Sequence, residues 1–220
     1  MKNKLNKTDK QKQLASNTET TKTEYSLRIN KKEFYIKKYP LHYAASQGDL
    51  EKVKKILQNK EIEVDARNHN TFTPLHIASG QDYLDIAVEL LQHDADPNAQ
   101  DEEGNTPCHF AAEGNNLKIL KCLVKNKYGS KKGDINMTNN YGWSVLHSAA
   151  SGIVNEKENW DIIEWLLERK ANTEVKSGNG FSVRDIFFDK DWSYAEKYDK
   201  LVEKFATQLC QLQPNKVNKF

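Results

Sequence analysis

Apolar residues recur along this chain in short stripes that are separated by polar, turn-rich stretches. Spacings of three and four residues place each stripe on one side of a helix. The four clearest stripes are Leu50/Val53/Ile56/Leu57, Leu84/Ile86/Leu90/Leu91, Leu117/Leu120/Val124 and Ile162/Ile163/Leu166/Leu167. A shorter segment with neighbouring small residues precedes each stripe and predicts a second helix. The pattern therefore predicts an all-α chain built from helix pairs.

The short segment in front of each stripe carries a recurring tetrapeptide. It reads Tyr39-Pro40-Leu41-His42, Thr73-Pro74-Leu75-His76, Thr106-Pro107-Cys108-His109 and Ser144-Val145-Leu146-His147, with the histidines 34, 33 and 38 residues apart. Thr or Ser suits a helix N-cap, and Pro suits the first helical position. A period in the low thirties is typical of stacked units that bury their apolar faces only against neighbours.

The Thr-Pro-Leu-His-x-Ala-Ala run, the Leu-Leu helix and the Ala-Asp-x-Asn-Ala exit resemble the ankyrin repeat. The resemblance implies an all-α solenoid of helix–turn–helix units joined by β-hairpin fingers, in a curved stack. We expect about four repeats over residues 39–178, with units at 39–70, 71–103, 104–141 and 142–178. The family binds other proteins and has no common catalytic chemistry, so the resemblance implies a protein partner.

The two ends of the chain differ from the repeats. We expect residues 1–24 to be a disordered basic arm, residues 25–38 to be an N-terminal cap or hairpin, and residues 212–220 to be a tail. We expect residues 179–211 to form a degenerate capping repeat followed by a long helix. The helix has about 18 residues and starts at a capping box of Ser193 and Glu196. That helix either covers the open end of the stack or binds a partner.

Three departures from the repeat pattern are visible. Extra residues lie at 126–133 and 152–159, away from the predicted finger tips, and they are either functional loops or neutral surface drift. The finger glycine present at Gly104, Gly142 and Gly180 is replaced by Thr71. We expect Asn70 to supply the positive φ that this hairpin needs.

Charge divides the chain into a basic arm and an acidic body. Residues 1–38 hold 11 Lys/Arg and 4 Asp/Glu, whereas residues 39–210 hold 20 and 27. The hydrophobic fraction of 37% suits a thin stack better than a deep core. Three cysteines without a Cys-x-x-Cys pair, and no apolar run of membrane-spanning length, predict a cytoplasmic monomer. If the chain is a secreted effector, that cytoplasm is the host cell's.

The predicted partner surface lies on the finger tips and the concave helix face. No Lys or Arg occurs between Arg67 and Lys118, and the same stretch is rich in Asp and Glu, so the partner surface is either basic or unrelated to this charge. Aromatic residues near the tips are either anchors or packing between fingers. The candidate residues are Arg67, His69, Phe72, Asp101, Glu102, Glu103, Asn105, Asn139, Asn140, Tyr141, Trp143 and Phe181.

Catalytic and cofactor chemistry have little support in the sequence. The recurring histidines belong to separate repeats, where the resemblance implies bonds to backbone and to the motif hydroxyl, whereas a zinc site gathers its ligands around one ion. Cys108 occupies the Leu position of its motif and predicts a buried small hydrophobic residue. The sequence contains no hydrolase, metalloprotease or phosphate-loop motif. We therefore expect no enzyme activity, no cofactor, no metal and no small-molecule substrate.

Two classes of function follow. The first is a protein-binding adaptor, inhibitor or secreted effector that uses the fingers and the helix face. The alternative is binding of nucleic acid or an anionic membrane through the basic arm, with the repeats as a scaffold. The acidic body and the absence of aromatic residues before Tyr25 make nucleic-acid binding the weaker of the two.

Overall fold

The computed structural model describes residues 32–59, 61–153 and 160–211, with side chains described up to residue 207. These residues form a row of helices joined by short turns. A first helix, α1, covers residues 32–38. The later helices are α2 (Pro40–Ser46), α3 (Leu50–Leu57), α4 (Pro74–Gly80), α5 (Leu84–Gln92), α6 (Pro107–Glu113), α7 (Leu117–Lys125), α8 (Val145–Gly152), α9 (Asp161–Glu168), α10 (Val183–Lys190) and α11 (Trp192–Gln211).

The helices form two rows. The inner row is α2, α4, α6, α8 and α10, in which each helix packs on the next. The outer row is α3, α5, α7, α9 and α11, and each of its members packs on the inner helix of its own unit. The outer row is loosest between α7 and α9, where a groove of about 410 Å³ lies beside α11. The expected all-α solenoid is confirmed.

The core lies between the rows and is continuous along the stack. The predicted stripes supply its large side chains, including the fully buried Leu90, Leu120 and Ile163. The paired alanines of the inner helices, such as Ala111 and Ala112, are also fully buried. Small side chains at these positions let the outer helix approach closely, so no unit has a core independent of its neighbours.

The N-terminal segment is helical where the structure describes it. Residues 32–38 form α1, and the Tyr39 N–H donates to the Tyr35 carbonyl at 2.8 Å in the helical pattern. Tyr35 and Tyr39 are four residues apart, so a helix places both rings on one face, where their centroids are 5.2 Å apart. The hairpin alternative is therefore wrong for residues 32–38. The predicted arm at 1–24 and residues 25–31 lie outside the described residues.

The cap of the C-terminal helix lies two residues earlier than predicted, at Asp191 instead of Ser193. The Asp191 carboxylate accepts the Ser193 N–H at 2.7 Å, and α11 starts at Trp192. The predicted capping box of Ser193 and Glu196 is wrong, because the preceding aspartate already caps the helix and Ser193 lies in its first turn. Helix α11 covers the open end of the row, since Tyr194, Tyr198 and Leu201 are all buried.

The insertion at residues 126–133 folds back over the preceding unit. The Asn126 side chain accepts the N–H groups of Tyr128 and Gly129 at 3.1 and 3.0 Å. The Ser130 N–H donates to Asp94 at 3.1 Å, and Lys131 forms an ion pair with Asp96. This loop is therefore ordered by specific contacts within the stack. Residues 154–159 of the second insertion lie outside the described residues.

Leu75 is a direct test of the stack, because its side chain is fully buried at the start of α4. Replacing Leu75 by Ala leaves a cavity and is expected to lower the free energy of unfolding by about 2–5 kcal/mol, as measured by urea denaturation. Leu84→Ala is the matched control, since Leu84 is only half-buried and its truncation should cost clearly less. Equal losses in the two variants would contradict the packing described here.

Candidate protein-binding surface

Four hairpin fingers project from the row, at residues 64–72, 97–105, 135–143 and 173–181, and they are called fingers 1 to 4. Each finger closes with two backbone bonds, such as Asp101 N–H to the Asn105 carbonyl at 2.9 Å and Gly104 N–H to the Asp101 carbonyl at 3.1 Å. The tip residue then caps its own turn. Asp101 accepts the N–H groups of Glu103 and Asn105 at 3.0 and 2.7 Å, and Asn139 accepts those of Tyr141 and Trp143 at 3.0 and 2.9 Å.

Finger 1 reaches the same geometry without a glycine. Thr71 itself adopts φ of 61°, so the expectation that Asn70 supplies the positive φ is wrong. A β-branched residue is strained there. Its hydroxyl compensates, because Thr71 Oγ1 donates to the Asn70 carbonyl at 2.7 Å and accepts the Glu102 N–H at 2.6 Å. The hydroxyl thus links finger 1 to finger 2.

Direct backbone bonds link the other fingers. Asn140 N–H donates to the Glu103 carbonyl at 2.8 Å, and Gly178 N–H donates to the Tyr141 carbonyl at 2.7 Å. A Cβ at Gly104 would lie 2.7 Å from the Asn140 nitrogen, so that position requires glycine for close approach as well as for its φ of 81°. The fingers are therefore aligned side by side as one surface.

A recurring histidine bond ties each unit to the next finger. His76 Nδ1 accepts the Thr73 N–H at 3.1 Å and contacts Thr73 Oγ1 at 2.8 Å, while Nε2 lies 3.0 Å from the Asn105 carbonyl. The neutral ring with its proton on Nε2 satisfies every one of these partners. His109 and His147 make the equivalent contacts to the carbonyls of Trp143 and Phe181 at 3.1 and 3.3 Å.

Burial favours the neutral form of these rings. It lowers the pKa of His76 to about 4, and it also lowers the pKa values of His42, His109 and His147. The expected bonds to backbone and motif hydroxyl are confirmed. Within the described ranges, no three or more His, Cys, Asp or Glu side chains are grouped as metal ligands.

The last unit replaces this histidine by an acid. Asp185 accepts the Ser182 N–H at 2.7 Å and the Ser182 hydroxyl at 2.6 Å, as the Nδ1 atoms do elsewhere. The carboxylate offers no donor toward a further finger. Asp185 therefore preserves the helix cap and omits the link to a next unit, which suits a terminal repeat.

The candidate residues separate into two groups. The side chains of six of them form hydrogen bonds within or between fingers: Arg67, Asp101, Glu103, Asn105, Asn139 and Asn140. Asp101 is only 7% exposed, so the structure uses this tip carboxylate to hold its finger rather than to present charge. Glu102, Glu103, Tyr141 and Phe181 are exposed, and Trp143 is half-buried. His69 is exposed beside the Tyr35 ring, and the half-buried Phe72 packs against Phe110 with centroids 5.2 Å apart.

A groove of about 320 Å³, called the central groove, lies between fingers 2 to 4 and helices α6 and α8. Repeat register explains why it is open. One unit earlier, the rings of Phe72 and Phe110 pack together in the corresponding space. In the central groove, Asn105 takes the position of Phe72 and Ser148 takes the position of Phe110, and both side chains are smaller. The groove is lined by Glu103, Asn105, Glu113, Asn139, Tyr141, Trp143, Ser148, Ser151 and Asn179.

Four lining residues were absent from the sequence-based candidates: Glu113, Ser148, Ser151 and Asn179. Aligning the repeats on their histidines would have found two of them. Ser148 directly follows His147, just as Phe110 directly follows His109. Because serine is much smaller than phenylalanine, this difference between the units indicates an open space. Glu113 lies four residues after its histidine, where the other units have Ser46, Gly80 and Ser151.

The family comparison agrees with this architecture. A family model described as ankyrin repeats in three copies matches residues 12–101 and 88–177, which is more than half of the chain. The chain belongs to the ankyrin-repeat family. Its four central units carry the family's fingers, and ankyrin repeats generally mediate binding between proteins.

Three relatives show how widely these ankyrin repeats are shared. Alpha-latrocrustotoxin-Lt1a of Latrodectus tredecimguttatus is 33% identical over 103 residues, covering 46% of this chain and 7% of the toxin. The probable 26S proteasome regulatory subunit p28 of Saccharomyces cerevisiae is 28% identical over 141 residues, covering 63% and 58%. The B-cell lymphoma 3 protein homolog of Mus musculus is 32% identical over 145 residues, covering 63% and 31%. The chain spans less than two thirds of the length of each relative.

The acidic stretch between Arg67 and Lys118 is divided among several places on the ankyrin stack. Asp94 and Asp96 bind the 126–133 loop, and Asp101 caps its own finger. Asp82 and Asp85 lie at the start of α5. Only Glu102, Glu103 and Glu113 remain as exposed carboxylates on the fingers and the inner helices. The stretch is thus not one continuous patch.

Two further features bear on the remaining expectations. Cys108 is fully buried, and burial raises the pKa of its thiol to about 12, which confirms its role as a small hydrophobic residue. Among the helices of the described ranges, none has the length and hydropathy needed to cross a membrane.

The Thr71 bridge can be tested with two substitutions that differ in one hydroxyl. Thr71→Val retains β-branching but removes the bridge, and it is expected to lower the free energy of unfolding by about 1 kcal/mol. Thr71→Ser keeps the hydroxyl and should change it by less than about 0.5 kcal/mol. Urea denaturation measures both. If serine cost as much as valine, the hydroxyl would not be the linking group.

Stability should fall in acid because the buried histidines are neutral in the folded chain. Below pH 6.5 His76 binds a proton in the unfolded chain but not in the folded chain. The contribution of neutral His76 to the free energy of unfolding is therefore complete above pH 6.5 and is lost as the pH falls toward about 4. The loss expected for His76 is about 3 kcal/mol between pH 7 and pH 4. The measurement is the free energy of unfolding against pH for the wild type and His76→Gln, which should show a shallower slope.

The control for this pH series is Leu84→Ala, since the half-buried Leu84 has no titratable group. Its slope should match that of the wild type. Equal slopes for His76→Gln and the wild type would show that His76 is not a source of the acid sensitivity.

Proposed function

We propose that this chain is a non-enzymatic adaptor or inhibitor that binds a partner protein on its fingers and inner helices. The observation that carries the proposal is the central groove. It combines a half-buried indole at Trp143 and an exposed phenol at Tyr141 with two exposed carboxylates, Glu103 and Glu113. Aromatic side chains of this kind are enriched among the residues that dominate binding energy.

The surrounding surface supports a rigid docking site. The finger tips are aligned by backbone bonds, and the tip side chains Asn139 and Asn140 are held by neighbouring groups. Little conformational entropy therefore has to be lost when a partner docks, which favours affinity. Tyr141 and Phe181, 58% and 57% exposed, extend the apolar area along fingers 3 and 4.

The proposal includes a basic surface on the partner. Glu102, Glu103 and Glu113 are exposed, and no Lys or Arg occurs within residues 68–117. Opposite charge on the partner would raise the association rate. The chain would act as a monomer in a reducing cytoplasm, where Cys108 and Cys122 remain free thiols. The name of the yeast relative, a probable regulatory subunit, supports regulation through a bound protein.

The test is capture of partners by the full chain immobilised through its N-terminus, with retained proteins quantified by mass spectrometry. For a specific set of proteins, the amount retained by Trp143→Ala is expected to be at least tenfold lower than the amount retained by the wild type. The reason is that the substitution removes the largest aromatic side chain of the central groove. Trp192→Ala is the matched control, because Trp192 is 61% exposed at the start of α11 and remote from the fingers.

Two further arms complete this test. Deletion of residues 1–24 should leave the Trp143-dependent set bound, whereas loss of binding on deletion would favour the basic arm as the binding element. Thermal unfolding must show that each variant is folded at the assay temperature. An identical retained set for Trp143→Ala and Trp192→Ala would contradict a binding site on the fingers.

A further inference from the structure

The central groove contains two carboxylates, those of Glu103 and Glu113. Within the described residues, neither Glu103 nor Glu113 forms an ion pair. The Glu103 carboxylate accepts one hydrogen bond among the described residues, from the Asn105 amide at 3.3 Å. None of the described lining residues is Lys or Arg, so the lining carries negative charge. The Lys190 ammonium donates to the Ser151 carbonyl at 2.7 Å and pairs with neither carboxylate, so a cation that entered would still find two acceptors.

Glu113 stands at a place that disfavours an anion. It is the last residue of α6, where the carbonyl end of the helix dipole is negative. The other three units have small neutral residues at the same point after their histidines: Ser46, Gly80 and Ser151. Among the four units with this histidine, Glu113 is the one charged residue at this point, and a residue that breaks a local electrostatic rule is a candidate for function. A bound cation would interact favourably with both the carboxylate and the helix end.

The aromatic side of the groove suits a flat cation. Trp143 is half-buried, its ring lies 6.0 Å from that of His147, and its backbone is fixed by bonds to Asn139 and His109. The Trp143 side chain therefore lines the same groove as the two carboxylates. Cations stack on indole faces, and a guanidinium does so while also binding carboxylate oxygens in a planar fork. A volume of about 320 Å³ lies at the low end of the range for ligand pockets, as suits a single side chain.

We propose that the central groove binds one arginine side chain of the partner protein. The guanidinium donates to Glu103 and Glu113 and lies against the indole of Trp143, while Tyr141 borders the opening. This inference rests on the proposed function, since it names the chemistry by which the partner is recognised. Arginine is favoured over lysine because its planar fork matches two carboxylates and an aromatic wall, whereas an ammonium offers a compact, strongly hydrated charge.

The probe is a capped pentapeptide, acetyl-Gly-Ala-Arg-Ala-Gly-amide, with lysine and citrulline analogues. Citrulline has nearly the shape of arginine without its charge. The full chain, labelled with ¹⁵N, is titrated with each peptide while the indole N–H resonance of Trp143 is followed, assigned by its absence in Trp143→Phe. We expect a saturable shift with the arginine peptide, at least fivefold weaker binding of the lysine peptide, and no saturation with citrulline.

The decisive variant is Glu113→Gln, which keeps the side-chain size and removes the charge. It should weaken arginine-peptide binding at least fivefold. Glu168→Gln is the matched control, because Glu168 is the last residue of α9 and lies outside the groove. Its binding should stay within twofold of the wild type. Both variants remove an anion from a helix end, so neither should lower the unfolding midpoint.

Three outcomes would overturn the arginine site: equal binding of the citrulline peptide, unchanged binding by Glu113→Gln, or a Trp143 indole resonance that does not move. Failure here is distinguishable from failure of the proposed function. Partner capture that depends on Trp143 but survives Glu103→Gln and Glu113→Gln would reject the arginine site and keep the docking surface. Arginine-peptide binding combined with partner capture unaffected by Trp143→Ala would keep the arginine site and reject the docking function.

Discussion

The bond between each buried histidine and the carbonyl of the next finger connects the local and the long-range structure of this protein. The Nδ1 side of the ring completes the cap of its own helix, and the Nε2 side reaches one unit further along the chain. One side chain thus sets where a helix starts and how far away the next finger lies. Because the Nδ1 contact requires the neutral ring, the helix cap depends on the same desolvation that lowers the histidine pKa.

Much of this architecture was predictable because it follows from repeated local patterns. The apolar stripes and the Thr-Pro or Ser starts predicted the helices, and Cys108 was correctly assigned to the core from its place in the motif. The errors occurred where no repeat offers a template. The pattern of residues 25–38 left open a hairpin, which the helical pairing of Tyr35 with Tyr39 excludes for residues 32–38. Ser193 was assigned a cap that Asp191 provides.

The candidate surface was harder to predict, because exposure depends on which polar groups bond to each other. Asp101 was chosen as a partner-binding residue because it lies at a finger tip. Its carboxylate instead accepts two backbone N–H groups of its own finger. Glu113 and Ser148 were missed because they lie on helices, and their importance is apparent only when neighbouring units are superposed. Thr71 shows the same limit in the backbone, since a hydroxyl bridge to the next finger compensates a conformation that the residue type disfavours.

The exchange of histidine for Asp185 also has a consequence for how this protein can evolve. Repeat chains lengthen by duplicating a unit, and a new unit added after the last one would meet an acceptor where a donor is required. Growth at that end would place a carboxylate against a carbonyl, so an insertion between central units is the easier route. The histidine-linked row is therefore interrupted at Asp185, beside the helix α11 that packs on this unit.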